Sequence, residues 1–285
     1  MNINIQKDLI YVKTILNLSD EALAKMIGVS RMTLSRWAKG EKEPSKAKLE
    51  SFYNEIYKNN IRINDVKQEM YKSDESKNRI ILFHGAKKEF ITAPSIEYSL
   101  GKKDFGKGFY LGTDLKQSAS FVSIYPESSI YVYNCDLSKA KVKEYDVSKE
   151  WMLLIAYFRG KIEEYNNSKI IQKALSDLKD IDVVIAPIAD NTMYSILNDF
   201  IEGNITDEQC VHALSANRLG KQYIFLNDKA IKKSLKQIDR FYLCEEEKSY
   251  YTNIKIEESN IGKNKAKLAR REYVGKGKYI EELLK

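Results

Sequence analysis

Between residues 8 and 58 the apolar positions recur at helical spacing. Leu9, Ile10, Val12, Ile15 and Leu16 form a first set, and Ala22, Leu23, Met26 and Ile27 a second. Leu34, Trp37 and Ala38 form a third, and Leu49, Phe52, Tyr53 and Ile56 a fourth, in a helix starting at Lys46. Polar punctuation separates them. Ser19 and Ser30 stand where N-caps are needed, and Gly28 stands where a tight inter-helix turn asks for a positive φ. Gly40 and Pro44 end the third helix. The pattern predicts four short helices around a small core.

From Arg79 the period changes. Ile80-Ile81-Leu82-Phe83 reads as a buried strand that ends in His84-Gly85. A second strand is entered through Asp104-Phe105-Gly106-Lys107-Gly108-Phe109-Tyr110. Asp114 can cap a helix whose buried face is Leu115, Ala119 and Val122. Ile130 to Tyr133, Val183 to Ala186, Tyr223 to Leu226 and Phe241 to Leu243 read as further strands. Trp151–Phe158, Tyr194–Ile201 and Asp207–Leu214 read as helices. Short strands with interspersed helices place the chain in the α+β class. The expected organisation is a helical domain at 1–60, a polar linker at 61–78, a strand-containing domain at 79–243 and a basic C-terminal extension at 244–285.

Charge sharpens this division. The 285 residues carry a net +7. Residues 1–60 hold ten bases and seven acids, and residues 244–285 hold ten bases and eight acids, so most of the excess sits at the two ends. Lys263, Lys265, Lys267, Arg270, Arg271, Lys276 and Lys278 face only Glu272. Gly262, Gly275 and Gly277 speak against one long helix there, so the tail reads as a flexible solvated segment. Its alternative is an arm that holds nucleic acid. Three scattered cysteines fit a reducing cytoplasm better than a disulfide framework. No apolar run is long enough to cross a bilayer, so no membrane partner is expected. Two histidines, His84 and His212, are too few for most catalytic zinc sites, and no metal is expected. His212, among Cys210 and Leu214, reads as structural.

The front module closely resembles the Cro/repressor-type helix-turn-helix family, on Leu23-Ala24, Gly28-Val29-Ser30 and Leu34-Ser35-Arg36-Trp37. That resemblance implies that the third helix enters the DNA major groove. Its outward residues Arg31, Met32, Thr33, Ser35, Arg36 and Lys39 divide the work. Arginine can read guanine edges, and Thr33, Ser35 and Lys39 can hold phosphates. A docking or dimerisation module with a merely solvated outer face is the plainer reading. Asp20 departs from the family, which often carries glutamine there.

In the second domain, His84-Gly85, the glycines of Gly106-Lys107-Gly108 and Tyr110 are individually weak signals. A structural histidine, a loop and a core aromatic would explain each. Their order is more specific. Leu82-Phe83-His84-Gly85, then Gly106-Lys107-Gly108-Phe109-Tyr110 with Ser118-Ala119-Ser120-Phe121, then Gln222-Tyr223-Ile224-Phe225-Leu226 resemble the ADP-ribosyltransferase superfamily in its poly-ADP-ribose-polymerase-like branch. The Asp104-to-Tyr110 wording is similar to a bacterial group of uncharacterised function often found beside toxin–antitoxin genes. The resemblance implies a split β-sheet domain with helices and NAD as substrate. His84 would bind the ribose hydroxyls. Gly85 would hold the nicotinamide carboxamide through its backbone, with help from the Ser118 hydroxyl. Tyr110 and Phe121 would stack on the ring, and Gln222 would complete the catalytic set with His84 and Tyr110.

Gln222 stands where that family usually has glutamate. A neutral amide can hold a ribose hydroxyl but cannot offer a full charge to an oxocarbenium-like cation. Chain elongation is therefore not expected. Mono-ADP-ribosyl transfer, NAD hydrolysis, or NAD binding without turnover remain. Glu97, Asp190 and Glu202 are other acids that could supply charge. The expected function is a cytoplasmic mono-ADP-ribosyltransferase of toxin–antitoxin or phage-defence type, anchored to DNA. It would act on a protein or nucleic-acid acceptor, with a cognate antitoxin as an implied partner. The alternative is a transcriptional regulator whose second domain senses NAD or a related nucleotide.

Overall fold

A computed structural model describes residues 3–76, 79–90, 93–99, 101–189, 191–216 and 220–285. In chain order the helices are α1 (Ile5–Leu16), α2 (Asp20–Met26), α3 (Arg31–Ala38), α4 (Lys46–Lys58) and α5 (Ile63–Ser73). Strand β1 (Ile80–Ala86), β2 (Phe109–Gly112), α6 (Leu115–Val122), β3 (Ser129–Cys135) and β4 (Val142–Glu144) follow. Then come α7 (Lys149–Phe158), α8 (Lys169–Ser176), β5 (Val183–Pro187), α9 (Asn191–Ile201) and α10 (Asp207–Ser215). The chain ends with β6 (Lys221–Phe225), α11 (Asp228–Ser234), β7 (Leu235–Tyr242), α12 (Glu245–Glu272) and α13 (Ile280–Leu284). The α+β expectation holds. The chain divides into two compact units. The first comprises Met1–Glu89, Asp114–Cys135 and Lys236–Ile254, and the second Phe90–Thr113, Asp136–Leu235 and Lys255–Lys285.

The helical module starts the first unit. Ser19, Ser30 and Ser45 each accept a backbone N–H of the first turn of α2, α3 and α4. Such a cap is worth about 1 kcal/mol. Gly28 takes a φ of +67° between α2 and α3. Leu9, Val12, Leu23, Ala24, Ile27, Leu34, Trp37, Phe52 and Ile56 close into one core. Ala38 does not join them and is exposed, because the turn that buries Trp37 rotates its neighbour outward.

This core is completed from far along the chain. Ile63 of α5 and Cys244 after β7 are buried members of it. The stretch 61–78, polar enough to read as a linker, thus holds the helix α5. Its Lys67 is 1% exposed and is paired with Asp8 Oδ1 of α1 at 2.8 Å and Asp239 Oδ2 of β7 at 3.0 Å. Tyr53 donates to Asp8 Oδ2 at 2.6 Å and Tyr71 to Asp239 Oδ2 at 2.9 Å. Burial pushes the Asp8 carboxyl above its usual range, against the pull of Lys67. The rest of the first unit is a sheet segment in the order β1–β3–β7, with β1 and β3 antiparallel. Helix α6 packs there through Leu115, Ala119 and Val122 against Ile81, Phe83 and Phe241.

The second unit holds the order β4–β5–β6–β2. Strand β4 is parallel to β5, while β5–β6 and β6–β2 are antiparallel. Residues Trp151 to Ala156 of α7 are all buried, so this helix is enclosed on every side. Helix α10 is fixed by a capping box between Thr206 and Gln209. The C-terminal segment differs from the solvated tail that its glycines predict. Helix α12 runs unbroken for 28 residues through Gly262. One helical glycine costs only about 1 kcal/mol relative to alanine, and burial of Ala266 and Ala269 in the second core offsets it. Past α12, Lys278 N–H donates to Asp207 Oδ1 at 2.7 Å, and Ile280 and Leu284 of α13 are buried in the same core.

Replacing Lys67 with methionine would leave two buried carboxylates without their cation. The unfolding free energy of Lys67→Met is expected to fall by about 3–5 kcal/mol at pH 7 in urea titrations. Burial already raises the Asp8 carboxyl, and without the pull of Lys67 it is raised further above about 4, its unfolded value. The deficit therefore shrinks as the pH falls toward 4 and this carboxyl takes up its proton.

Candidate functional site

The outward face of α3 is where the helix-turn-helix reading places it. Arg31, Met32, Arg36 and Lys39 are exposed, while Thr33 and Ser35 are half-buried. Leu34 and Trp37, each 2% exposed, pin the opposite face. The Thr33 hydroxyl lies 2.9 Å from the Ser30 hydroxyl, so its rotamer is set by the cap. Asp20, the acid that departs from the family, is ion-paired with Lys13, which offsets its charge toward a phosphate.

Also in the first unit, β1 carries His84 and Gly85 opposite Tyr131 and Ile130 of β3. His84 is half-buried at the strand end. A Cβ on Gly85 would come within 2.5 Å of the Ser118 carbonyl oxygen, so only glycine lets α6 approach β1 this closely. Ser118 Oγ donates to the Phe83 carbonyl at 3.0 Å. Its single hydrogen is thereby spent, and the hydroxyl can serve a ligand only as an acceptor. His84, Gly85 and Ser118 are brought together by this β1–α6 contact. Phe121, on the same helix, is 48% exposed. A cavity of about 430 Å³ in this unit is walled by Trp37, Lys46, Glu89, Ser129 and Arg240, and His84 is not among its lining residues.

Tyr110 and Gln222 belong to the second unit. Tyr110 of β2 sits opposite Ile224 of β6, and Gln222 opposite Gly112 and Ala186. Residues two apart on a strand share a face, so Tyr110 and Gln222 lie diagonally on one face of β2–β6. The Tyr110 hydroxyl donates to the Gly106 carbonyl at 2.8 Å and accepts from the Phe105 N–H at 3.2 Å. These bonds fix the ring, and burial pushes its phenol well above the usual range.

Sequence reasoning missed the residue that organises this face. Asp104, 5% exposed, accepts from Gln222 Nε2 at 2.9 Å and from Arg159 Nη2 at 2.7 Å. It also accepts from the Tyr194 hydroxyl, and the Arg159 guanidinium lies 4.1 Å from the Tyr194 ring centre. Burial raises the Asp104 carboxyl, while Gln222, Arg159 and the Ala189 N–H pull it down. The signal available in sequence was the acid directly before the Phe105-Gly106 turn. Its partners on α7, α9 and β6 could not be read from it.

The other acids take ordinary roles. Glu97 pairs with Lys107 at 2.6 Å, and the exposed Glu202 accepts from Asn204 at 3.3 Å. Asp190 lies outside the described residues. His212 stacks on Tyr273 at 4.0 Å and contacts Glu272 at 3.0 Å. No helix among the described residues is long and apolar enough to cross a membrane.

A strand-bearing domain with this site and a DNA-binding helix-turn-helix define the class. The chain belongs to the DUF3990 family, a protein family of unknown function, whose model matches residues 80–236. A helix-turn-helix family model matches residues 13–52. No curated protein and no solved structure matches the chain.

The helix-turn-helix is expected to hold duplex DNA in a salt-dependent way. If Arg36 neutralises one phosphate, Arg36→Ala is expected to reduce the slope of log affinity against log salt by about 0.9. Filter retention of labelled duplex between low and moderate salt measures it, and an unchanged slope takes Arg36 out of the interface.

Proposed function

We propose that the protein is an NAD-using mono-ADP-ribosyltransferase whose helix-turn-helix holds it on DNA. The observation that carries this reading is the placing of Tyr110 and Gln222 on one strand face around a fixed carboxylate. The His84–Gly85–Ser118 contact adds the first residues of the resembled motif order. Breaking the nicotinamide–ribose bond of NAD develops positive charge on the ribose. A site for that step needs an oriented substrate and polar groups aimed at the sugar. His84 offers a ring nitrogen to ribose hydroxyls, and the Gly85 backbone takes the carboxamide. Tyr110 and Phe121 supply aromatic surface for the nicotinamide, worth about 0.5–1.5 kcal/mol per good contact. Gln222 meets the ribose. The acceptor is a protein or nucleic acid close to the bound DNA, and a cognate antitoxin would be a further partner.

One observation favours a second reading, that of a regulator which senses NAD without turning it over. His84 and the recognition helix α3 lie in the same compact unit, in which the buried Lys67 ties α1 and α5 to β7. Ligand at His84 would then bias the DNA-binding surface.

Incubation with NAD labelled in the adenylate separates the two. The transferase reading expects free nicotinamide and a labelled macromolecule, with His84→Ala slowing release about tenfold or more, as for one lost hydrogen bond of about 1.4 kcal/mol. Equal rates for wild type and His84→Ala, with matched melting curves, would remove the enzymatic role of this site. Binding of NAD without release, accompanied by a shift in DNA affinity, is the result the sensor expects.

A further inference from the structure

The C-terminal part of α12 is held to the second unit by one face. Ala266 and Ala269 enter the core, Arg270 pairs with Asp199 at 2.7 Å, and the Arg270 carbonyl accepts from Gln209 Nε2 at 3.1 Å. Each residue of a helix is turned by about 100° from the one before it. That rotation brings Lys263, Lys267 and Arg271 onto one flank, within an arc of about 80° and about 6 Å apart along the axis. All three are exposed, and none has an acidic partner among the described residues. Asn260 and Asn264, also exposed, lie along the same flank. The acids of this part of the helix, Glu257, Glu258 and Glu272, are turned away from Lys267 by about 80° or more. Like charges four residues apart destabilise a helix. The stripe therefore opposes the stability of α12, and its charge is left for a partner outside the chain.

We infer that this stripe is a second nucleic-acid contact, outside the recognition helix, which holds the phosphate backbone of duplex DNA without reading its bases. Phosphates follow one another every 3.4 Å of axis along each strand, so about 12 Å of stripe faces three or four of them. Lysine, arginine and asparagine side chains all donate to phosphate oxygens. No aromatic side chain stands on this flank, so the stacking platform on which single strands are held is missing. A lipid surface fits less well. The exposed Ile261 and Leu268 lie on another flank, beside Glu257 and Glu272, where a membrane-binding helix needs bases. The inference depends neither on the NAD reading nor on the helix-turn-helix.

The test is filter retention of a labelled duplex of random sequence by the full chain across a range of salt. Lys263→Gln/Lys267→Gln/Arg271→Gln is expected to reduce the slope of log affinity against log salt by about 2 to 3, at about 0.9 for each phosphate contact. Glutamine keeps the helix propensity of lysine, and matched melting curves check the fold. Lys263→Arg/Lys267→Arg/Arg271→Lys keeps the charges and is expected to keep the wild-type slope. A control, Lys169→Gln/Lys173→Gln/Lys232→Gln, removes three exposed lysines of the same unit away from the stripe and is expected to leave the slope unchanged. The loss is expected with Arg36→Ala present as well as absent, because the stripe does not act through α3. An unchanged slope in the stripe variant, or an equal loss in the control, overturns the inference while leaving the helix-turn-helix contact standing. Sedimentation of the chain with phosphatidylserine vesicles, abolished in the stripe variant while DNA retention stays the same, assigns the stripe to membrane and overturns it as well. Absence of DNA retention by wild type overturns both contacts.

Discussion

The ammonium of Lys67 is the constraint on which the first unit depends. It lies where α1, α5 and β7 meet, and water does not reach it. An isolated buried cation is untenable, so its two carboxylates must come from elements distant in sequence. Asp8 belongs to the helix-turn-helix and Asp239 to the strand beside β3. Once these three groups are buried together, the DNA-binding helices are no longer a separate bead. Their core closes only with Ile63 and Cys244, and Glu50 of α4 accepts from the Tyr242 hydroxyl at 2.6 Å.

A similar arrangement recurs in the second unit with the sign reversed. There the buried group is the carboxylate of Asp104, and Arg159, Tyr194, Gln222 and a backbone N–H supply the donors. In both places a buried charge selects one arrangement of elements, because every alternative leaves it unpaired. The Lys67 cluster consumes its groups internally and joins elements. The Asp104 cluster spends both hydrogens of the Gln222 amide nitrogen, on Asp104 and on the Pro187 carbonyl.

Much of the local structure was legible in the chain. Ser19, Ser30 and Asp114 sit at N-caps as read, and Gly28 takes its positive φ. Strands β1, β3, β5 and β6 and helices α7, α9 and α10 fall on the apolar runs that announced them. The elements missed, α5, α8, β4, α11 and α13, are short or polar. Strand β4 has three residues and no fully buried side chain, so no period could reveal it. Helix α12 departs from the expectation because Gly262 was weighed without the buried Ala266 and Ala269 that hold the helix.

The sequence by itself determined the helix-turn-helix, the α+β character and the order of the motif residues on which the proposed nucleotide chemistry rests. Each of these rests on neighbours within a turn or two of helix or strand. Only the tertiary structure decided that a lysine in a polar stretch is a core residue, and that an aspartate before a glycine turn governs a glutamine on β6. Burial and pairing of charge depend on groups that converge from separate elements, and no local pattern encodes that convergence.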